Sequence, residues 1–260
     1  MEGFILRICN IIAHRGANQY APQNTIPAFQ KALELGADGL ETDVHVTLDG
    51  ELVLCHDYTV DKTSDGQGFI SKMTFSELRS LDFGAVFSEK FKGTTLPSLD
   101  EFLELSKSGL LRIMNIELKS PKEIGSDIVR KTLRKVSQYG IMDKLLISSF
   151  DTALLSEVKK AEPSCKTALL YPSMRQFVPY YLHTPIRLAQ KLGVDAVHPH
   201  YTHISAAVVR AFHELGIRVN PWTVNTPAQI RKMLRCGVDG IITDRPDTAL
   251  QIADTFSAEK

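Results

Sequence analysis

The sequence predicts an α/β fold: a (β/α)8 barrel of parallel strands with one insertion after the second barrel strand. Three observations predict it. A short motif recurs along the chain, as Leu35-Gly36-Ala37-Asp38-Gly39-Leu40, Leu192-Gly193-Val194-Asp195-Ala196-Val197 and Cys236-Gly237-Val238-Asp239-Gly240-Ile241. Each copy reads as a helix end, a left-handed glycine and a short apolar strand. Eight such strands alternate with helical stretches, and repeated βα units give a parallel sheet. The length of 260 residues suits one barrel, which takes about 250. A doubly wound open sheet is the competing arrangement. The first strand is not followed by Gly-x-Gly-x-x-Gly, which weakens its dinucleotide-binding form.

Taken in order, the first strand begins near Ile11. The helix after it places Ala28, Phe29, Ala32, Leu33 and Leu35 on one face. The second strand begins near Gly39, and the third not until Ile113. The fourth to eighth begin near Leu145, Thr167, Asp195, Arg218 and Gly240. Helices over Ala206 to Leu215 and Pro227 to Cys236 separate the last three. The interval of 74 residues between the second and third strands is the exception. It holds about 45 residues more than an ordinary barrel unit.

The excess, residues 48–96, reads as an insertion over the mouth within a single domain spanning 1–260. It opens as a hairpin turning at Asp49-Gly50. It continues through the polar stretch Thr63 to Gly68 to a helix capped by Thr74 and Glu77. Phe69, Ile70, Met73, Phe75, Leu78, Leu81 and Phe83 supply a small core against the barrel rim, and Gly66 and Gly68 predict a mobile tip.

Thirty basic residues balance thirty acidic ones, which argues against nucleic-acid binding by bulk charge. The hydrophobic fraction of 43% and charged fraction of 23% are ordinary globular values. No apolar run approaches the roughly 20 residues of a membrane span. The N-terminus lacks the basic and apolar regions of a signal peptide. Cys9, Cys55, Cys165 and Cys236 have no metal-finger spacing and read as free thiols, so a cytoplasmic location is expected.

The chemistry gathers where barrel strands end. His14-Arg15-Gly16, Glu41-Thr42-Asp43 with His56-Asp57, and Asn115-Ile116-Glu117-Leu118-Lys119 close the first three strands. His198-Pro199-His200, Asn220-Pro221-Trp222 and Thr243-Asp244-Arg245-Pro246 close the last three. In a barrel these ends share one face, the mouth. Glu41 and Asp43 lie two apart and share a side of their strand. With Glu117 they offer an all-carboxylate set, which suits a hard divalent cation, Mg²⁺ or Ca²⁺, better than zinc. A buried salt network with Arg15 and Lys119 is the other reading.

His14 and His56 suit proton transfer, because imidazole titrates near neutrality. Either could instead be a hydrogen-bonded core histidine, the reading given to the other six, among them His45, His183 and His213. Arg15 suits phosphate, or an ion pair with Glu41 or Glu117. Lys119 suits the same two roles. Trp222, the only tryptophan, reads equally as a pocket wall or as core packing. The aromatic segment Tyr171 to Leu182 could contact a lipid tail or a partner, or simply be a barrel helix with its lead-in.

These motifs resemble the glycerophosphodiester phosphodiesterase family. The resemblance runs from Ile12-Ala13-His14-Arg15-Gly16 through Pro22-Gln23-Asn24-Thr25 to Gly36-Ala37-Asp38-Gly39-Leu40-Glu41-Thr42-Asp43. Thr47-x-Asp49-Gly50, His56-Asp57, Glu117-x-Lys119, Trp222-Thr223-Val224-Asn225 and Gly240-Ile241-Ile242-Thr243-Asp244-x-Pro246 extend it over nearly the whole chain. It implies a TIM barrel and metal-dependent hydrolysis of small glycerophosphodiesters to glycerol 3-phosphate and an alcohol. It also implies that Glu41, Asp43 and Glu117 hold the metal, that His14 and His56 are the acid–base pair, and that Arg15 and Lys119 hold phosphate. The family's usual Pro-Glu-Asn-Thr carries Gln23 here, one negative charge fewer near the mouth. Three alternatives remain. Lysophospholipase D cleavage would call for an apolar mouth. A class I aldolase would use Lys119 as a Schiff-base amine. A non-catalytic binding protein would lack turnover.

Overall fold

The computed structural model describes residues 9–109, 111–119, 127–172 and 184–258. His183 and most of the aromatic segment after Tyr171 lie outside these residues. Strands β1 (Asn10–Ala13) and β2 (Gly39–Val46) flank helix α1 (Ile26–Glu34). The insertion contributes β3 (Leu52–Leu54) and α2 (Phe75–Arg79). Helix α3 (Leu99–Ser106) returns the chain to β4 (Ile113–Leu118). The alternation continues with α4 (Asp127–Tyr139), β5 (Leu145–Ser149), α5 (Thr152–Ala161), β6 (Lys166–Tyr171) and α6 (Thr184–Leu192). It ends with β7 (Ala196–Pro199), α7 (Ala206–His213), β8 (Arg218–Val219), α8 (Pro227–Cys236), β9 (Gly240–Thr243) and α9 (Pro246–Ala258).

The sheet runs β8-β7-β6-β5-β4-β2-β1-β9, with β3 pairing antiparallel to β2 at its margin. The eight barrel strands are parallel, and the ring is nearly closed. Backbone bonds from Asp239 N to Val219 O and from Ile242 N to Pro221 O, both 3.0 Å, link the two ends. The outer face of the strands packs on the helices through residues such as Ile11, Leu40, Ile116, Ile147 and Val197. The inner face begins with an apolar floor of Leu146, Ala168 and Ala196 with Ile113 against them. Polar side chains occupy the levels above, so the alternation of each strand separates core from site.

The recurring motif has a structural function that its glycines alone did not reveal. Gly36, Gly193 and Gly237 adopt φ of +84°, +62° and +80°, as the sequence predicts for helix ends. The aspartate two residues later then grips the start of a neighbouring strand at both of its backbone groups. Asp38 donates N–H to Ile11 O and accepts Ile11 N–H on its carboxylate. Asp195 does the same with Thr167, and Asp239 with Val219. Asp38→Ala therefore leaves the buried Ile11 N–H without a partner. The expected cost is about 1–3 kcal/mol in urea unfolding, and an unchanged midpoint would remove this role.

The insertion builds its own apolar cluster from Val53, Cys55, Val60, Ile70, Leu78, Phe83 and Leu96, with Met73, Phe75 and Leu81 against it. The Thr74–Glu77 capping box forms as expected. Phe69, assigned to this core from sequence, is instead 50% exposed. Ile70 takes the inward position of the turn, and the Phe69 ring lies outside under the Lys72 ammonium, 5.5 Å away. The tip predicted to be mobile is hydrogen-bonded in place. Gly68 bonds Val60 and the Asp61 carboxylate, and Asp65 bonds Asp82 twice.

Candidate active site

The turn after β1 is held tightly. Arg15 and Gly16 both have positive φ, and a Cβ on Gly16 would lie 2.6 Å from the Ala28 backbone. This geometry points the Arg15 N–H at Glu41 Oε2, 2.9 Å away. It also brings the guanidinium to Gln23 Oε1 at 2.6 Å, with Nε 3.4 Å from Asp43 Oδ2. The neutral amide at position 23 thus fixes Arg15 without cancelling its charge.

Register delivers the acids. Glu41 pairs with Asn115 and Asp43 with Glu117 across β2 and β4. Among the described residues, Glu41, Asp43 and Glu117 form a buried group whose candidate ligand atoms lie within 4.8 Å of one another. Burial and the neighbouring Asp43 and Glu117 charges push the Glu41 carboxyl well above the ordinary range. Burial and Asp43 push Glu117 up to about 7. Burial would raise Asp43 too, but the Lys119 ammonium and Arg15 guanidinium outweigh it and hold the carboxyl far below its usual value.

Lys119 Nζ lies 2.5 Å from Glu117 Oε1 and 2.9 Å from Asp43 Oδ1. Lys119 thus bridges two of the three acids as a buried ion pair. Three buried acids against two cations leave carboxylate charge in excess, and an all-oxygen donor set of this kind fits a hard divalent cation. The salt network read as the alternative is present as well, and shares the same side chains. Burial would lower the Lys119 ammonium, yet Asp43 and Glu117 hold it above its ordinary value. An aldolase amine needs the opposite shift.

Both candidate histidines are tied at Nδ1 to a carboxylate. His14 Nδ1 lies 2.6 Å from Asp244 Oδ1, and His56 Nδ1 lies 2.7 Å from Asp57 Oδ1. A carboxylate accepting from Nδ1–H leaves Nε2 of a neutral imidazole as the basic atom. Burial, assisted by Arg15, holds His14 below the ordinary imidazole value against the pull of Asp244. Burial also lowers His56, with Lys119 and Arg15 opposing Asp43. The two rings line one cavity together with Arg15, Glu41, Glu117 and Trp222. Trp222 Nε1 donates to His198 O at 2.7 Å, and its ring meets Phe150 edge-on, so it walls the cavity rather than the hydrophobic core. His45 is buried beside the site, as expected of a core histidine. His213, given the same reading, is instead at the surface, paired with Asp239 at 2.8 Å. The last turn of α7 faces solvent there.

Sequence reasoning did not single out the residues that hold these groups. Asn24, at φ +56°, donates to Asp43 Oδ2 at 2.8 Å and accepts from Thr42 Oγ1. Asp244 accepts amide hydrogens from Asn18 at 2.7 Å and Asn225 at 2.5 Å. Burial would raise the Asp244 carboxyl, but the bonds from His14, Asn18 and Asn225 bring it down to about 2. An unfolded aspartate titrates near 3.9. Asp244 thus contributes up to about 2 kcal/mol above that pH, lost as pH falls toward 2. The stability gap between the wild type and Asp244→Asn should therefore narrow from pH 5 to pH 2 in urea unfolding. A gap that stayed constant would contradict it.

With this geometry in view, the comparison with known proteins is direct. The glycerophosphoryl diester phosphodiesterase family matches residues 14–248. The chain belongs to that family. It is 39% identical over 242 residues to a glycerophosphodiester phosphodiesterase of Caldanaerobacter subterraneus subsp. tengcongensis, covering 93% of this chain and 96% of that one. It is 35% identical to the Bacillus altitudinis glycerophosphodiester phosphodiesterase, covering 94% and 98%. A phosphodiesterase of Oleispira antarctica, solved with its product sn-glycerol-3-phosphate, superimposes with a TM-score of 0.87. That pair is 26% identical, with 94% and 96% of the two chains covered. Family membership and the parallel barrel agree with the sequence reading. No helix among the described residues is long and apolar enough to cross a membrane.

Outward from the acids, a groove of about 460 Å³ opens between the insertion and the end of β5. Asp57, Lys62, Lys119 and Asp151 line it along with the aromatic rings of Tyr58 and Phe150. The lining thus combines charged side chains with aromatic and apolar surface.

Proposed function

We propose that the protein hydrolyses glycerophosphodiesters to glycerol 3-phosphate and an alcohol, and that the reaction requires a divalent cation. The observation that carries this reading is the meeting of Glu41, Asp43 and Glu117 with two carboxylate-paired histidines in one cavity. A cation held by the three acids would supply positive charge to the phosphate and lower the pKa of the attacking hydroxyl. Arg15 and Lys119 bind the remaining phosphate oxygens and stabilise charge that grows there in the transition state. Trp222 closes the apolar side.

One imidazole takes the proton of the neighbouring glycerol hydroxyl as its oxygen bonds to phosphorus. The other gives a proton to the leaving alkoxide as the phosphorus–oxygen bond to the alcohol breaks. Water then opens the resulting cyclic phosphate with the two imidazoles exchanging roles, so the net reaction consumes one water. Each histidine keeps its tautomer through its aspartate. The tested outcome is release of glycerol 3-phosphate from diesters of choline, ethanolamine and inositol. Failure to release it from any diester would overturn the reading.

The insertion selects the alcohol, because residues 56–59 and Lys62 form one wall of the outer groove. Its tip fixes that wall through Gly68, Val60 and Asp61. Deleting Thr63 to Gly68 should reorder kcat/KM among the three diesters while calorimetric metal binding survives. An unchanged order with full activity would reduce the tip to a structural flap.

A further inference from the structure

Two turns at the mouth are joined so that one side chain backs another. Arg15 and Asn24 both have φ of +56°, and the Asn24 N–H donates to Arg15 O at 3.0 Å. Thr25 Oγ1 donates to Pro22 O and closes the second turn. Gln23, within that turn, is thereby set against the Arg15 guanidinium, with Oε1 2.6 Å from Nη1. Arg15 lines the cavity and Gln23 does not. The amide therefore acts on a ligand only through the arginine.

The two cations of the site are paired differently. Lys119 Nζ has two carboxylates, Glu117 Oε1 at 2.5 Å and Asp43 Oδ1 at 2.9 Å. The Arg15 guanidinium reaches Asp43 Oδ2 only through Nε, at 3.4 Å, and Nε makes no hydrogen bond. Asn24 Nδ2 takes that carboxylate oxygen instead, at 2.8 Å. Among the described residues, the hydrogen-bonded partner of the guanidinium is thus a neutral amide. The Arg15 side chain is only 18% exposed, and a charge so far from water is costly unless an opposite charge meets it. The match is left open on the cavity side.

A carboxylate at position 23 would close it. Glutamate has the shape of glutamine, would accept the same bond and would offset the charge that Arg15 presents to the cavity. The amide anchors the guanidinium without offsetting it. The charge left over acts on a ligand in proportion to the ligand's own charge. A phosphodiester carries one negative charge. A phosphomonoester carries close to two at neutral pH, because its second pKa is about 6. The extra attraction therefore falls mainly on the monoester, the form in which the phosphate leaves.

We propose that Gln23 sets the preference of this site between phosphate charge states, biasing it toward phosphomonoester dianions over diester monoanions. Gln23 is a positioning residue that acts through Arg15. On the diesterase reading above, on which this consequence rests, accumulated glycerol 3-phosphate restrains turnover.

The test uses two small probes at pH 8: methyl phosphate, a dianion, and dimethyl phosphate, a monoanion with no hydroxyl to attack its phosphorus. Each is titrated calorimetrically into the wild type and Gln23→Glu at the same saturating Mg²⁺. The variant should bind both more weakly. Its loss on methyl phosphate should be about the square of its loss on dimethyl phosphate, roughly tenfold against threefold. In turnover of glycerophosphocholine, the inhibition constant of glycerol 3-phosphate should rise by more than KM does. The melting temperature should equal or exceed that of the wild type, because the new carboxylate meets a guanidinium. Equal losses on the two probes would reduce Gln23 to a prop for Arg15 and overturn the proposal. No loss on either would overturn it too, and so would a variant that fails to fold, which would contradict the contact on which it stands. If the wild type released glycerol 3-phosphate from no diester, the diesterase reading would fall, and the two-probe comparison would still decide the role of Gln23.

Discussion

Glu41→Gln should lose about 1000-fold or more in turnover, the scale of several kcal/mol that a bound cation contributes to phosphoryl chemistry. The same variant should fold normally. The glutamine carbonyl can still accept the Arg15 N–H that Glu41 Oε2 accepts at 2.9 Å. What it loses is a charge that burial, Asp43 and Glu117 all disfavour. In chelator at pH 8 its melting temperature should therefore equal or exceed that of the wild type. Turnover close to wild type would remove Glu41 from the metal set. A large loss of stability alongside the lost turnover would mean that Glu41 serves the fold first.

The second large effect belongs to the imidazoles. His14→Ala and His56→Ala should each cost at least about 100-fold in kcat, the range for losing positioned acid–base help. The structure separates them in other respects. His14 is the less exposed of the two and its partner Asp244 is held by two further amides, whereas His56 and Asp57 are more exposed, beside Lys62. His213→Ala, on the outer surface, should leave turnover unchanged. Wild-type kcat for His56→Ala would exclude it from the acid–base pair.

Much of the fold was legible because its signals are local. A helix end, a glycine and an apolar strand occupy consecutive residues, so every barrel strand lies within about a residue of its predicted start. Alternation along one strand likewise put Glu41 with Asp43 and Glu117 with Lys119, and the fold keeps those pairs on the site side. What escaped reading depends on contacts far apart in sequence. The bond from His14 to Asp244 spans 230 residues, and that from Asn24 to Asp43 spans 19. No periodicity announces either one. Phe69 was misplaced because a run of apolar residues does not say which of two neighbours turns inward.

The central claim is that three buried carboxylates hold a cation on which diester hydrolysis depends. It is tested most directly by measuring glycerol 3-phosphate release from glycerophosphocholine after exhaustive chelation, and again after metal is restored. The account predicts no release in chelator and recovery on adding Mg²⁺ or Ca²⁺, with no recovery in Glu41→Gln. Full activity in the chelated protein would contradict it.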